Sequence, residues 1–424
     1  MAIPRNYSEA YLRELLEAHS PEELLAKLRP EPEASEARAP RFPGGSGVNA
    51  ESIEKRWSAL KHISSSSRDA LLPDPEGVEP FSNNIENAIG AVQIPVGIAG
   101  PIRVTGVHAS GDYHVPLATT EAALVASYHR GACLISAAGG CRSVLLSEAV
   151  GRAPVFVFAD IAESAEFVAW LLGETHSFRE VAATTTSHGS LIDIATTVEA
   201  NHVYLHLDFH TGDASGQNMV TIASQAVCDD IMKRSPVTPK RAYIEGNLSG
   251  DKKVLTEPFA VQRGRKVSSE ISLPGQLVRK YLHTTPEEMV DYWQISAMGG
   301  VLGGTVGIQG HMANGLAALY LATGQDVACV PESAGGVTRF ELDRDNGNLY
   351  AAVTVPKLMV ATVGGGTGLP TQLACLDILG LSGSGNSRAL AEVTAAILLA
   401  GELSIIGAMA AGHFTDAHQR LARG

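Results

Sequence analysis

The chain has 424 residues, of which 45% are hydrophobic and 18% charged, a composition typical of a folded globular protein and not of a disordered or fibrous one. Its length allows about two or three domains of ordinary size. Because 45 acidic residues outnumber 32 basic ones, the net charge of -13 disfavours general attraction to nucleic acid or to an anionic membrane. A polyanionic small ligand would need a local cluster of basic residues.

Cysteine usage and the N-terminal sequence predict a cytoplasmic protein. The 5 cysteines are scattered and form no C-x-x-C pair, which disfavours a disulfide framework or a structural zinc site, so we expect no metal. The N-terminus lacks the basic and apolar segments of a secretory signal. Residues 395–412 are largely apolar but include Glu402, and a carboxylate at a membrane centre costs about 2.5 to 3.5 kcal/mol. We therefore expect a buried helix and no membrane insertion.

The first 80 residues predict a helical arm with a linker. The segment SPEE at residues 20–23 predicts a helix over residues 21–28, with a capping Ser and Pro in the first turn. Residues 29–47 are rich in Pro, Gly and Ser, as expected of a linker. Asn49 opens a second predicted helix in NAESIEKRWSAL, and the following SSSSRDALLPDPEG predicts a loop.

Helical segments dominate two later parts of the chain. An amphipathic run over residues 122–135 follows two threonines and Glu121, which places Glu121 in the first turn of the predicted helix. Beyond residue 246 the sequence is rich in Ala, Gly and Leu, and predicts long helices over residues 303–323 and 392–412.

Residues 144–243 have a different pattern of apolar and polar residues. Strand patterns alternate with helix patterns, and in HVYLHLDFH (residues 202–210) every second residue is apolar. This alternation predicts a small split α/β sandwich inserted into a larger domain.

Two Gly-rich turns are candidate phosphate sites. GDASGQNM (residues 212–219) lies between the alternating strand and a predicted helix, where free backbone N–H groups and the helix dipole favour an anion. It is not G-x-G-x-x-G, so a Rossmann site is not indicated. The alternative is a plain strand-to-helix turn capped by Asp213. VGGGTG (residues 363–368) has the same two interpretations.

Three charged positions are candidates for catalysis. Lys252 is either part of a solvated surface pair or a buried cation that polarises a carbonyl. Asp326 follows a predicted helix end, where a carboxylate is electrostatically disfavoured, which hints at function. His413 ends the last apolar helix, where it is either a poised proton donor or an exposed cap.

Together, seven ordered segments resemble the HMG-CoA reductase family, in the form shared by eukaryotes and archaea. They are ENAIGAVQIPVGIAGP (86–101), TTEAALVASYHRG (119–131), GDASGQNM (212–219), GNLSGDKK (246–253), ANGLAALYLATGQD (313–326), VGGGTGLPTQLACL (363–376) and AGELSIIGAMAAGH (400–413). The resemblance runs from about residue 81 to the C-terminus, and we expect this chain to lack the family's membrane anchor.

The resemblance implies an α+β fold in three parts. These are an N-terminal helical arm and linker (residues 1–80), a large, mostly helical substrate-binding domain (81–143 and 244–424), and an inserted small, ferredoxin-like NAD(P)H-binding domain (144–243). Because family members form their active sites across a dimer interface, we expect a homodimer or a higher homo-oligomer.

The implied activity is the reduction of a CoA thioester, 3-hydroxy-3-methylglutaryl-CoA, to mevalonate and CoA by two hydride transfers from NADPH. Lys252 would polarise the carbonyl and stabilise oxyanions, and Asp326 would orient Lys252 and balance its charge. Glu121 would donate a proton in the aldehyde step, and His413 would protonate the leaving thiolate.

The resemblance also implies two binding sets. The cofactor set is Ser187, His188, Asp213, Gly216, Gln217, Asn218, Met219, Gly364, Gly365 and Gly366. The substrate set is Ser127, Arg130, Arg142, Glu245, Asn247, Asp251, Lys253, Arg265, Lys266, His283, His311 and Asn314, with Arg263 as a further base for CoA. The family often has Arg or Lys where this chain has His188, which is largely neutral at pH 7, so we expect NADPH and leave NADH open.

Three positions depart from the family pattern around the acyl group. An expected Ser, Arg and Lys correspond to Glu245, Val144 and His283, and Arg142 would substitute from the same strand face as Val144. Glu245 would repel a substrate carboxylate unless it is protonated or turned away. The alternatives are the same reduction of an acyl thioester without a distal carboxylate, or a non-catalytic scaffold, which would need none of the catalytic residues.

Overall fold

The structure is a computed structural model that describes residues 7–29, 43–60, 63–72, 74, 77–255 and 263–412. Its fold mixes helices and strands, which confirms the predicted α+β class. The helices are α1 (Tyr7–Ala18), α2 (Pro21–Leu28), α3 (Ala50–Ala59), α4 (Ser65–Leu71), α5 (Leu124–Ala137), α6 (Ile161–Gly173), α7 (Thr175–Ala183), α8 (Gln217–Arg234), α9 (Gly275–Leu282), α10 (Pro286–Gly303), α11 (Met312–Thr323), α12 (Val330–Ser333), α13 (Pro370–Leu379) and α14 (Ser387–Ala410). The strands are β1 (Val96–Gly106), β2 (Ser110–Ala118), β3 (Cys141–Arg152), β4 (Val155–Val157), β5 (Ser190–Glu199), β6 (His202–His210), β7 (Arg241–Tyr243), β8 (Gly264–Leu273), β9 (Val337–Leu342) and β10 (Leu349–Leu358).

All ten described strands join into one sheet, in which seven follow the order β7-β4-β6-β3-β8-β10-β9. The other three branch from this path, because β1 pairs with β3 and with β2, and β5 pairs with β6. Strand β3 connects its two parts, because it pairs with β8 over Arg142–Ala149 and with β6 over Val150–Arg152. In the smaller part the order is β7-β4-β6-β5 with antiparallel neighbours, and helices separate β4 from β5 and β6 from β7. This is the split β-α-β arrangement; the division of the chain into domains stays a prediction.

The alternation predicted in β6 is confirmed. Val203, Leu205, Leu207 and Phe209 are fully buried, whereas the residues between them are half-buried. Each such side chain contributes about 1.5 to 3 kcal/mol when it leaves water. All four belong to the same hydrophobic cluster as the core of the larger part, which ties the two parts together.

The predicted apolar helix near the C-terminus is α14, which the core encloses. Among the described residues it is the one helix long and apolar enough to cross a membrane, but 83% of its most apolar window is buried in the protein. Its two carboxylates, Glu392 and Glu402, are fully buried. Both accept hydrogen bonds from backbone N–H groups, which makes an all-buried helix with two acidic residues possible.

The N-terminal region follows its local signals except in one segment. Ser20 caps α2 as predicted and forms a capping box with Glu23, and Asn49 caps α3. The predicted loop after α3 is wrong in part, because Ser64 caps the short helix α4 and Leu72, just after it, is buried with residues of α3. Most of the predicted linker, residues 30–42, lies outside the described residues.

Two predicted helix boundaries are also wrong. Glu121 is not in a first helical turn, because the backbone turns at Ala123 (φ 71°) and α5 begins only at Leu124. The helix predicted over residues 303–323 is broken, since α10 ends at Gly303 and α11 begins at Met312. The buried carboxylate of Glu402 accepts hydrogen bonds from the backbone N–H groups of residues 310 and 311, which fixes the non-helical segment.

Candidate active site

Lys252 and Asp326 form an ion pair, with Nζ 2.9 Å from Oδ2. Asp326 follows the left-handed C-cap of α11 at Gly324, and its Oδ1 accepts the N–H of Ala328, so the carboxylate is held in place. The bond to Asp326 raises the pKa of Lys252. Burial raises the pKa of Asp326, but the hydrogen bonds from Lys252, Ala328 and Gln217 and the charge of Lys252 together outweigh burial and leave that pKa below its usual value. Both groups are therefore charged at neutral pH.

This ion pair lines a cavity of about 610 Å³ together with both Gly-rich turns. The cofactor residues that line it are Gly216, Gln217, Asn218, Met219, Gly364, Gly365 and Gly366. Gly216 takes a left-handed conformation (φ 66°) and starts α8 without a side-chain cap, so the first N–H groups of an 18-residue helix are available to an anion. The cavity thus fits a phosphate-bearing ligand beside a cation.

Three other cofactor candidates surround this turn without lining the cavity. Asp213 does not cap the turn that contains it, because its carboxylate accepts the N–H groups of Gly385 (2.8 Å) and Ser387 (3.2 Å) at the start of α14. The loop with Ser187 and His188 lies next to the turn. The carbonyl oxygen of His188 is 3.7 Å from the position that a Cβ atom would occupy if Gly212 carried a side chain.

Glu121 lies in a second cavity, of about 470 Å³. Four residues of the predicted substrate set share its lining: Ser127, Arg130, His311 and Asn314. Asn314 Nδ2 donates to Glu121 Oε1 at 3.2 Å. The guanidinium of Arg130 donates to the hydroxyl and carbonyl of Ser404 at 2.7 to 3.0 Å, which fixes the cation at the cavity wall.

Helix α11 separates the two groups of predicted catalytic residues. Asn314, the partner of Glu121, is in its first turn, and Asp326, the partner of Lys252, follows its end. The helix has 12 residues, which corresponds to about 18 Å at 1.5 Å per residue. One chain therefore does not bring Glu121 and Lys252 to the same reacting atom.

Of the bases predicted for CoA near residue 265, two are buried. Arg263 is fully buried between Glu332 and Asp251. Arg265 is 5% exposed and bonds to Glu148, Ser387 and two carbonyl groups, so neither guanidinium is presented to a ligand in this structure. Lys266 is half-buried on β8, and Lys253 is exposed.

The residues that depart from the family pattern are scattered. Arg142 and Val144 do share the exposed face of β3, as predicted, but Arg142 pairs with Glu270 on β8. His283 is exposed at the left-handed C-cap of α9 and lines neither cavity. Glu245 is turned into its own loop, where it accepts the N–H of Asn247 at 2.7 Å.

One arginine near the site was missed by sequence reasoning. Arg152, on β3, is 8% exposed and pairs with Asp251 at 2.7 Å, so it holds the segment that carries Lys252. Its signal in the sequence is a single cation within the apolar run AVGRAPVFVF, since a buried Arg requires a carboxylate partner. Asp251 is that partner. Burial raises the pKa of this carboxyl, but the charges of Arg263, Arg152 and Lys252 and the hydrogen bond from Arg152 together lower it below its usual value.

Two predictions remain outside this geometry. His413 lies outside the described residues. Within the described ranges, no group of three or more His, Cys, Asp and Glu side chains is arranged to hold a metal ion.

Comparison with known proteins begins with the fold. The class II 3-hydroxy-3-methylglutaryl-CoA reductase from Streptococcus pneumoniae, in a structure bound to NADPH in open conformations, matches with a TM-score of 0.64 and 19% identity, over 85% of this chain and 96% of that one. This likeness concerns the fold alone.

The sequence comparisons identify the family. Residues 52–423 match the family described as hydroxymethylglutaryl-coenzyme A reductase. The 3-hydroxy-3-methylglutaryl-coenzyme A reductase of Haloferax volcanii is 41% identical over 376 residues, which are 87% of this chain and 92% of that protein. The enzyme of the same name from Methanothermobacter thermautotrophicus is 41% identical over 381 residues, 89% of this chain and 93% of that protein. The chain belongs to the hydroxymethylglutaryl-coenzyme A reductase family.

Proposed function

We propose that this protein reduces 3-hydroxy-3-methylglutaryl-CoA to mevalonate. The reaction consumes one thioester, two NADPH and two protons, and yields the primary alcohol, free CoA and two NADP⁺. The observation that carries the proposal is the Lys252–Asp326 ion pair, 2.9 Å long, on the wall of the cavity that the two Gly-rich turns form.

The chain's own residues would divide the work as follows. The ammonium of Lys252 stabilises the negative charge that develops on the carbonyl oxygen in each reduction, and Asp326 fixes its direction. Glu121 supplies a proton to the aldehyde oxygen, with its carboxyl oriented by Asn314. We propose that His413 donates the proton to the departing CoA thiolate.

We propose NADPH as the cofactor, with NADH as the open alternative. The uncapped start of α8 at Gly216 fits the pyrophosphate, and the turn at Gly364 and Gly365, both at positive φ, brings backbone close to the same cavity. When bound, the nicotinamide supplies the hydride. The loop at His188 lies beside the turn and offers an imidazole instead of a permanent cation for a 2′-phosphate.

We propose that the active site forms between two copies of this chain. About 14 Å of α11 follows Asn314, the partner of Glu121, before the chain reaches Asp326, the partner of Lys252, whereas a proton donor must come within about 3 Å of the reacting oxygen. The C-terminal half of α10 also exposes Ile295 (71%), Met298 (59%), Val301 (67%) and Leu302 (83%). An apolar face of this kind marks an interaction surface, and a second copy would cover it and complete the site.

The structure gives less reason to expect either of the alternative functions. The inward direction of Glu245 removes one of the reasons to expect an acyl group without a distal carboxylate. A non-catalytic scaffold would have no use for an oriented Lys252–Asp326 pair. A cytoplasmic location remains our proposal; the 5 cysteines are free thiols, as a reducing compartment requires.

The test is turnover of purified protein. We expect oxidation of NADPH that depends on 3-hydroxy-3-methylglutaryl-CoA, with two NADPH consumed per CoA released. Lys252→Ala should abolish turnover while the fold, followed by circular dichroism, is retained. The proposal is wrong if neither NADPH nor NADH is oxidised with this substrate, or if another acyl thioester has a clearly higher kcat/KM.

A further inference from the structure

The segment that carries Lys252 has an unusual backbone. Between β7 and residue 253, three residues take left-handed conformations: Asn247 (φ 66°), Gly250 (φ 74°) and Lys252 itself (φ 57°). Two of these are not glycine, and such residues disfavour this conformation unless their surroundings impose it. The direction of the Lys252 side chain therefore depends on the contacts that hold residues 245–253, called here the lysine loop.

Glu245 makes two hydrogen bonds within the lysine loop. Its Oε1 accepts the N–H of Asn247 at 2.7 Å, and its Oε2 accepts the hydroxyl of Ser249 at 2.9 Å. Ser249 Oγ in turn accepts the N–H of Asp251 at 3.3 Å. The carboxylate thus binds residues 247 and 249 directly, and Ser249 extends this chain of hydrogen bonds to the residue that precedes Lys252.

Buried charges anchor the same carboxylate to the core. Arg152 Nη1 lies 3.5 Å from Glu245 Oε2 and 2.7 Å from Asp251 Oδ2. Arg263 binds the other oxygen of Asp251 and also Glu332, at 2.5 Å. Glu245 is therefore one end of an ion-pair chain that continues to fully buried groups. Arg152 partly offsets the charge of Glu245, since two arginines share three carboxylates in this chain of ion pairs.

We propose that Glu245 is a positioning residue that sets the direction of Lys252, and that it does not contact the acyl group. This inference rests on the proposed function for its kinetic test. Of the alternatives left open by the sequence, it favours a Glu245 that is turned away from the substrate carboxylate over one that repels it.

The two roles predict opposite kinetics. If Glu245 positions Lys252, Glu245→Ala should lower kcat by about 100-fold, the loss that a displacement of about 1 Å causes, and leave KM for 3-hydroxy-3-methylglutaryl-CoA within about twofold. Glu245→Gln keeps one acceptor oxygen for Asn247 and should lose less. If Glu245 instead faces the acyl group, removal of its charge should lower KM and preserve kcat, and that result would overturn the proposal.

Hydrogen exchange supplies a readout that needs no substrate. Amides of residues 246–253 should exchange faster in Glu245→Ala and in Ser249→Ala than in the wild type. Glu341→Gln is the matched control, because it removes an exposed carboxylate that pairs with one arginine on β9, and it should change neither kcat nor exchange. Unchanged exchange in both loop variants would refute the positioning role, whatever substrate the wild type prefers. If Glu245→Ala does not fold, Glu245→Gln and Ser249→Ala decide between the two outcomes.

Discussion

Two inactive variants of this chain should restore activity when they share a dimer. Glu121→Gln removes the proton donor from one cavity, and Lys252→Met removes the cation from the other. Each homodimer should be inactive, because every site in it has the same lesion. In a heterodimer, one site receives both mutated side chains and the other receives neither.

The expected activity of the heterodimer follows from the length of α11 and from the symmetry of a dimer. Asn314 holds Glu121 at one end of the helix, and Asp326 holds Lys252 beyond the other. Since the helix is about 18 Å long, the two functional groups of one chain serve different sites. A two-fold symmetric dimer has two equivalent sites, so a purified heterodimer should show about half of the wild-type kcat per dimer with an unchanged KM.

The assay uses co-expressed variants with two different affinity tags, purified through both. The control pairs Lys252→Met with Asp326→Asn. These residues lie in the same cavity and on the same chain, so each site of that heterodimer keeps one lesion and no activity should return. If the first heterodimer is as inactive as its parents while its fold is intact, the argument for a shared site is wrong.

Three further predictions concern stability, cofactor choice and assembly. Lys357 is 1% exposed, and burial lowers its pKa from 10.5 to about 8, although the charge of Glu332 acts in the opposite direction. The buried charge therefore destabilises the fold by up to about 3 kcal/mol below pH 8 and not at all above about pH 10.5. Lys357→Met should raise Tm more at pH 7 than at pH 10, and a lower Tm at pH 7 would contradict this. His188→Arg should raise the ratio of kcat/KM for NADPH to that for NADH by about tenfold; an unchanged ratio would place the 2′-phosphate elsewhere. Leu302→Glu should shift the mass in solution to that of one chain and abolish turnover, whereas Leu25→Glu, on the equally exposed α2, should leave both unchanged.

Elements with local signals were predictable from the sequence. The capping box of α2 requires only residues within one turn, and the alternation in β6 reports one buried face of a single strand. The short helix α4 was not predictable in this way. Its serine-rich sequence has low helix propensity, and burial of Leu72 against α3, a tertiary contact, stabilises its end.

The site shows the same division between local and distant causes. The motifs locate Lys252 and the two Gly-rich turns, which the structure brings to one cavity. They do not reveal which way a side chain points, so the sequence left open whether Glu245 repels the substrate carboxylate or is turned away, and in the structure its oxygens bind Asn247 and Ser249. Arg152 was missed because its partner Asp251 is 99 residues away in the sequence, and no local pattern records such a pair.

Glu402, a carboxylate of the buried helix α14, links the apolar core to the proposed active site. Among the described residues, no cation pairs with Glu402. Burial raises the pKa of Glu402 to about 7, and the hydrogen bonds from the N–H groups of residues 310 and 311 lower it by a smaller amount. An isolated buried carboxyl of this kind is costly, and its effect is to fix the backbone just before α11. That backbone determines where Asn314, and with it Glu121, lies at the cavity wall. The same acidic residue that argued against a membrane span in the sequence therefore sets the geometry of one half of the proposed active site.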